Sequence, residues 1–246
     1  MPDPMGMSTS HFVLLIESDQ NQMGPLVAQL VHLGIEPIRV SDLDEATEVV
    51  KSRQYAVSGV LVPSDIPGKE VLKALKSMRR REPVLPCMAY GKAPEPAQRK
   101  LLRRASVLLS LWDGYDVGVL RFQVNRLVSG ENQRSVRGAR RVPIHTPVRV
   151  LVGGREKDGF VYSLSESGCF IESPRASMDG ARLRMIFSLG ERELELDGVV
   201  AFANVPGNLQ RPNLPLGMGV RFEDLSKPDR KTLSQFVQER MNSLEV

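Results

Sequence analysis

The stretch VRGARRVPIHTPVRV, Val136 to Val150, divides the chain into two patterns. Ahead of it, short continuous apolar runs alternate with amphipathic helical stretches. Behind it, apolar and polar residues alternate one by one. The stretch itself joins three arginines, Arg137, Arg140 and Arg141, to a valine-rich segment punctuated by Pro143 and Pro147. A period of two after a basic lead-in marks the start of a strand with one buried face.

Working back from it, the apolar runs are Phe12–Ile16, Pro37–Val40, Val57–Val62, Pro83–Ala89 and Ser106–Leu111. Each is too short for a helix and lacks polar alternation, as expected of strands buried on both faces. Helical patterns lie between them: Val27, Leu30, Val31 and Leu33; then Ala46, Val49 and Val50 behind the capping pattern Ser41-x-x-Asp44; then Leu72, Leu75 and Met78 behind Pro67-Gly68. A last helix spans roughly Tyr115 to Val128. About five strand–helix units with short connections predict an open parallel sheet with right-handed crossovers.

Working forward, Val148, Val150 and Val152 share one strand face. Leu183, Met185 and Phe187 alternate with Arg182, Arg184 and Ser188, and Leu194 and Leu196 alternate with Glu193, Glu195 and Asp197. Turn signals separate these runs: Gly153-Gly154, Asp158-Gly159, Asp179-Gly180 and Leu189-Gly190. The pattern predicts a small antiparallel β-barrel or sandwich. A closing helix capped by Ser226-x-x-Asp229, with Leu233, Phe236, Val237 and Met241 inward, would cover its open end. The expected organisation is an α/β domain over residues 10–128, a basic linker over 129–141, and a barrel with its helix over 142–244.

Composition bounds the function. With 246 residues, 41% hydrophobic, 25% charged and 5% aromatic, the chain reads as a globular protein of two domains. Its net charge of +4 favours anionic partners but is too small for general DNA binding, and neither half shows a helix-turn-helix pattern. Two cysteines, Cys87 and Cys169, make neither a disulfide framework nor a multi-cysteine zinc site, which predicts a reducing compartment. His11, His32 and His145 lack metal-ligand spacing. The N-terminal MPDPMGMSTSHFVLLIESDQ has no basic region, and Glu17 and Asp19 cut its apolar run short, so no signal peptide is expected. No run approaches the length of a membrane span. The expectation is a cytoplasmic protein that is not an enzyme: no nucleophile–base pair, metal cluster or P-loop spacing appears, so no catalytic residue, metal or cofactor is assigned.

The five-fold βα pattern opening with VLLIESD resembles a response-regulator receiver domain, which has a flavodoxin-like open parallel sheet. That family carries paired acids after the first strand, a phosphoacceptor aspartate ending the third, a Ser/Thr ending the fourth and a lysine ending the fifth. Glu17 and Asp19 match the paired acids. Leu61 or Val62 stands at the aspartate position, Met88 at the Ser/Thr position, and SVLLSLW contains no lysine. Phosphoryl transfer needs a carboxylate nucleophile beside a metal and a cation. Asp65, past the strand in PSDIPG, reads as a turn residue. The resemblance therefore implies a phosphorylation-incompetent pseudo-receiver that serves for protein contacts or self-association.

In the second half, Arg137 and Arg141 are the ends of an R-x-x-x-R spacing, a weak signal alone. Downstream, YSLSESGCFIES holds Ser163-x-Ser165-x-x-Gly168, and LGMGVRFEDLS precedes the helix. In this order the motifs resemble the PilZ domain, a barrel family that binds the bacterial second messenger cyclic di-GMP. The resemblance implies a ligand site built from Arg137, Arg140, Arg141, Ser163, Ser165 and Gly168. Guanidinium groups bond phosphate bidentately, pair with guanine O6 and N7, and stack on bases. Ser165 would bond a base edge or phosphate, and Gly168 would let the backbone approach the ligand. The family's second motif begins with Asp or Asn, where this chain has Ser163. Losing one charged hydrogen bond to guanine weakens binding by roughly tenfold to a hundredfold. The implied function is a bacterial signalling adaptor that senses cyclic di-GMP and relays it by domain rearrangement or protein–protein contacts, in motility or surface behaviour. The alternative is a docking scaffold that does not bind the nucleotide.

Overall fold

The computed structural model of the chain describes residues 11–18, 23–129, 140–211 and 214–246. The chain forms two compact units, one of Met1–Ser135 with Leu244–Val246 and one of Val136–Ser243.

In the first unit, β1 (His11–Ile16), β2 (Ile35–Val40), β3 (Val57–Pro63), β4 (Cys87–Gly91) and β5 (Leu109–Trp112) form one parallel sheet in the order β2-β1-β3-β4-β5. The intervening helices are α1 (Met23–His32), α2 (Leu43–Ser52), α3 (Gly68–Met78) and α4 (Pro96–Arg104), with α5 (Val117–Ser129) after β5. This strand order is that of flavodoxin-like folds, and it aims the carboxyl ends of β1 and β3 at a common crevice. Leu14, Ile16, Val60, Val62 and Ala89 join Val71, Leu75 and Met78 of α3 in a core from which water is excluded.

Several sequence expectations shift in register. The residue capping α2 is Asp42, whose carboxylate accepts from the Asp44 and Glu45 N–H groups at 2.9 and 2.8 Å. Glu45 reaches back to the Ser41 N–H and hydroxyl, which donate to it at 2.7 Å each and hold its carboxyl below the usual range. The capping box thus closes one residue later than Ser41-x-x-Asp44. In α1 the buried stripe is Leu26 and Leu30, and Val31 faces solvent. At the sheet edge, β2 buries only Ile35 and Val40, so it is not covered on both faces. Both later strands start further along than their apolar runs suggest. The Arg79 guanidinium takes the carbonyls of Leu85 and Ala105, and Pro83 and Pro86 supply no N–H to a ladder.

The second unit is a closed antiparallel barrel. Its strands are β6 (Arg141–Val152), β7 (Arg155–Ser165), β8 (Gly168–Glu172), β9 (Arg182–Leu189), β10 (Arg192–Val205) and β12 (Gly217–Phe222), with a short β11 (Asn208–Leu209) hairpinned onto β10. The order β10-β12-β8-β7-β6-β9 closes through a β10–β9 pairing. Val148, Val150, Met185, Phe187, Leu194 and Leu196 are buried, as their alternation requires. The helix α6 (Lys227–Leu244) starts where Ser226 accepts from the Asp229 N–H at 3.2 Å, and it buries Leu233, Val237 and Met241. Phe236 is only half-buried.

Two glycines permit the closure. A Cβ on Gly168 would fall far inside contact distance of the Val220 carbonyl, and one on Gly217 would collide with the Ile171 carbonyl. Backbone atoms cannot move aside as a flexible side chain can, so β8 and β12 approach this closely only without those methyl groups. Gly168→Ala is expected to lower the unfolding free energy by about 1–3 kcal/mol, the usual cost of overpacking. Urea denaturation without added ligand checks this, and an unchanged midpoint would contradict it.

Both cysteines are core hydrophobes. Burial pushes the Cys87 and Cys169 thiols up to about 12, against the opposing pull of Arg79 and Arg141 respectively. A thiolate-selective chromogenic reagent at neutral pH should label neither in the folded protein and both after denaturation. Rapid native labelling would contradict this packing.

Candidate functional site

At the carboxyl ends of β1 and β3, the acids found in the sequence are only partly available. Glu17 accepts from both Arg39 Nε at 2.7 Å and Arg39 Nη2 at 2.5 Å. Asp65 lies in the turn after β3 and accepts from the Ser18 hydroxyl at 3.3 Å. Asp19 lies outside the described residues. Leu61 and Val62, where a phosphoacceptor would stand, are fully buried core residues, and so is Met88.

The sequence reading missed Tyr90. Because β4 runs to Gly91, the residue near its end is this tyrosine, whose hydroxyl donates to the Ile16 carbonyl at 2.5 Å. Its ring is buried, and burial, followed by the Asp65 and Glu17 charges, pushes the phenol well above its usual range. A neutral hydroxyl thus stands near enough to both carboxylates for their charges to oppose its ionisation. Among the described residues, no group of three His, Cys, Asp or Glu could hold a metal ion. The signal that could have found Tyr90 was Pro86, which moves the strand start, and with it the strand end, along the chain.

In the second unit, Arg141, the last residue of R-x-x-x-R, meets the S-x-S-x-x-G motif on one ribbon. Arg141 opens β6 directly opposite Ser165 of β7, and Pro143 lies opposite Ser163. Ser165 in turn pairs with Gly168 across the β7–β8 turn. Directly opposed residues share a sheet face, so Arg141, Ser163 and Ser165 lie on the same side of the ribbon. Arg140 precedes the strand and is exposed, and Arg141 is half-buried. Arg137 lies outside the described residues.

The two serines and the glycine stand differently from the expectation. Ser163 and Ser165 are buried, at 3% and 1% exposure. The Ser165 hydroxyl donates to the Gly168 carbonyl at 2.9 Å, which stitches the turn instead of facing solvent. Gly168 makes room for the β12 backbone, as its clash with Val220 shows, and that role needs no ligand. Beside this ribbon, α6 is tied at two points: the Ser234 hydroxyl donates to Glu166 at 2.9 Å, and Arg240 Nε donates to the Pro143 carbonyl at 3.4 Å. Sequence gave no pointer to these ties, because each joins segments far apart in the chain.

Two further features surround the ribbon. His145 stacks on Phe160 with centroids 4.5 Å apart and planes 2° from parallel, an exposed aromatic pair on β6 and β7. Phe202 covers Gly219, where any Cβ would meet the ring, and reaches Phe170 at 5.9 Å. Arg211 lies 5.7 Å over the Phe202 ring.

Among the described residues, no helix is long and apolar enough to cross a membrane. No curated protein matches the chain. Among solved structures, the Bacillus subtilis inhibitor of motility (MotI/DgrA) aligns at 21% identity and a TM-score of 0.38, covering 45% of this chain and 53% of that one. The receiver domain of a sensor histidine kinase from Pseudomonas aeruginosa, solved with magnesium in its active-site cleft, aligns at 17% identity and a TM-score of 0.43, covering 49% and 98%. A CheY-like receiver domain protein from Methanospirillum hungatei aligns at 12% identity and a TM-score of 0.43, covering 51% and 100%. Residues 131–239 match the family described as PilZ domain. That match makes the second unit a PilZ domain, and the strand order ahead of it makes the first a flavodoxin-like α/β unit.

Proposed function

We propose that the protein is a bacterial signalling adaptor, acting in motility or surface behaviour, that senses cyclic di-GMP through its PilZ domain and relays the state through protein contacts. The observation that carries this reading is the β6–β7 register. It sets Arg141 opposite Ser165 and brings the end of the R-x-x-x-R motif to the S-x-S-x-x-G turn. Cyclic di-GMP presents two phosphodiesters and two guanines. Arginines suit all of these, bonding phosphate through a planar fork and stacking on or pairing with the bases. Recognition then falls mainly to Arg137, Arg140 and Arg141, while Ser163, Ser165 and Gly168 frame the surface they act on. The burial of both serines favours a second reading, a scaffold that does not bind the nucleotide.

The ligand-free chain carries no resident cofactor in this proposal, and the nucleotide is a reversible effector. The receiver-like unit acts as a platform for protein contacts or self-association, because its phosphoacceptor position is filled by core leucine or valine. Incubation with acetyl phosphate and Mg²⁺ should leave the intact mass unchanged. A base-labile phosphoryl adduct abolished by Asp65→Asn would contradict this.

Calorimetric titration with cyclic di-GMP separates the two readings. Wild type should bind, and Arg137→Ala or Arg141→Ala should each lose about 1.5–3 kcal/mol of binding free energy, the range for hydrogen bonds to charged groups. Arg141→Lys should lose nearly as much, since an ammonium cannot reproduce the fork. Equal heats from wild type and the double alanine variant would leave the scaffold reading standing.

A further inference from the structure

The last three residues of the chain belong to the first unit and occupy the free edge of its sheet. Among the described residues, no strand of the order β2-β1-β3-β4-β5 lies on the outer side of β5. Such an edge offers unpaired N–H and C=O groups to any extended segment. Here Glu245 makes an antiparallel bridge to Leu109, and the Val246 N–H donates to the Leu108 carbonyl at 3.3 Å.

Side chains of the first unit complete the recognition. Gln123 of α5 is fully buried, and its amide donates at 2.7 Å both to Ser110 of β5 and to the Leu244 carbonyl. Its own carbonyl accepts from Arg126 at 3.1 Å, and Arg126 also faces the Glu245 carboxylate at 3.8 Å. Arg103 of α4 donates to the Val246 carbonyl. Val246, 1% exposed, belongs to the same apolar cluster as Leu85, Ala105 and Val107, and Leu244 is 4% exposed.

We propose that this edge is a docking groove for a short peptide of apolar–acidic–apolar chemistry, and that Leu244-Glu245-Val246, which leaves the end of α6, is its built-in occupant. The contacts read the peptide in two ways. Main-chain groups of the occupant are taken by Gln123, Arg103 and Leu108, which is strand addition to a sheet edge and indifferent to sequence. The side chains are selected separately, by apolar burial at the first and third positions and by Arg126 at the second. The backbone pairing that holds the tail on β5 is short, the Glu245–Leu109 bridge and the Val246–Leu108 hydrogen bond. A partner segment of the same chemistry can therefore compete for it, which makes the tail a resident competitor. The proposal is independent of cyclic di-GMP.

The test uses the full chain carrying Leu244→Asp and Val246→Asp, which removes the occupant from the groove. A fluorescent peptide of residues 240–246 is titrated against this variant and wild type, with anisotropy as the readout. The variant should bind the peptide saturably, and wild type at least roughly tenfold more weakly because its own tail competes. A peptide with Glu245→Lys should bind the variant several-fold more weakly, since it opposes Arg126. No saturable binding by a variant that still unfolds cooperatively would overturn the proposal. So would loss of the first unit's helical circular dichroism in the variant, because the tail would then be a fixed part of the fold. Equal binding of the lysine peptide would overturn it as well.

Discussion

The close approach of the β8 and β12 backbones is the constraint on which the PilZ domain is built. Where most strand pairs tolerate side chains above and below, here the Val220 and Ile171 carbonyls occupy the space of a methyl group at Gly168 and Gly217. Fixing β8 against β12 fixes the β7–β8 turn, which the Ser165 hydroxyl ties to Gly168. That turn ends the ribbon whose first pair is Arg141 and Ser165. Arg141 thus owes its position to two glycines that need never touch a ligand.

This chain of dependence divides the labour within the motifs. A serine hydroxyl already donating to a buried carbonyl has one fewer bond to offer, and satisfying the carbonyl matters because a buried unpaired acceptor costs about 1–3 kcal/mol. Arg140 is exposed, and Arg141 is close enough to Cys169 for its charge to oppose the burial that raises that thiol. In the proposed function, recognition of an anionic nucleotide is assigned to the arginines, with the S-x-S-x-x-G segment supplying the shape. In the first unit, a buried tyrosine hydroxyl sits near Glu17 and Asp65, and Leu61 and Val62 at the end of β3 are core residues.

The periodicities of the sequence were enough to read both folds, because each rests on a repeated physical pattern. Leu183, Met185 and Phe187 alternate inward along β9, and VLLI of β1 is buried throughout. Ser226 and Asp229 announce the start of α6 by local hydrogen bonding. What the sequence hid was set by contacts between distant segments. The late starts of β4 and β5 depend on Arg79 reaching the Leu85 and Ala105 carbonyls. The role of Gly168 depends on Val220, which lies far along the chain and whose carbonyl no pattern advertises. Ser163 and Ser165 share a face, as their spacing requires, but nothing local said that this face is buried. The tail pairing on β5 was invisible for the same reason: Gln123, a polar residue inside a helix, reveals its purpose only when Leu244 is beside it.

Amide hydrogen exchange across Glu131–Val142, with and without saturating cyclic di-GMP, addresses the central claim most directly, that the arginines leading into β6 form the ligand clamp. The account predicts slower exchange in this segment when the nucleotide is present, lost when Arg137 and Arg141 are both replaced by alanine. Unchanged exchange there, in protein that calorimetry shows to be saturated, would contradict it and move the binding site elsewhere.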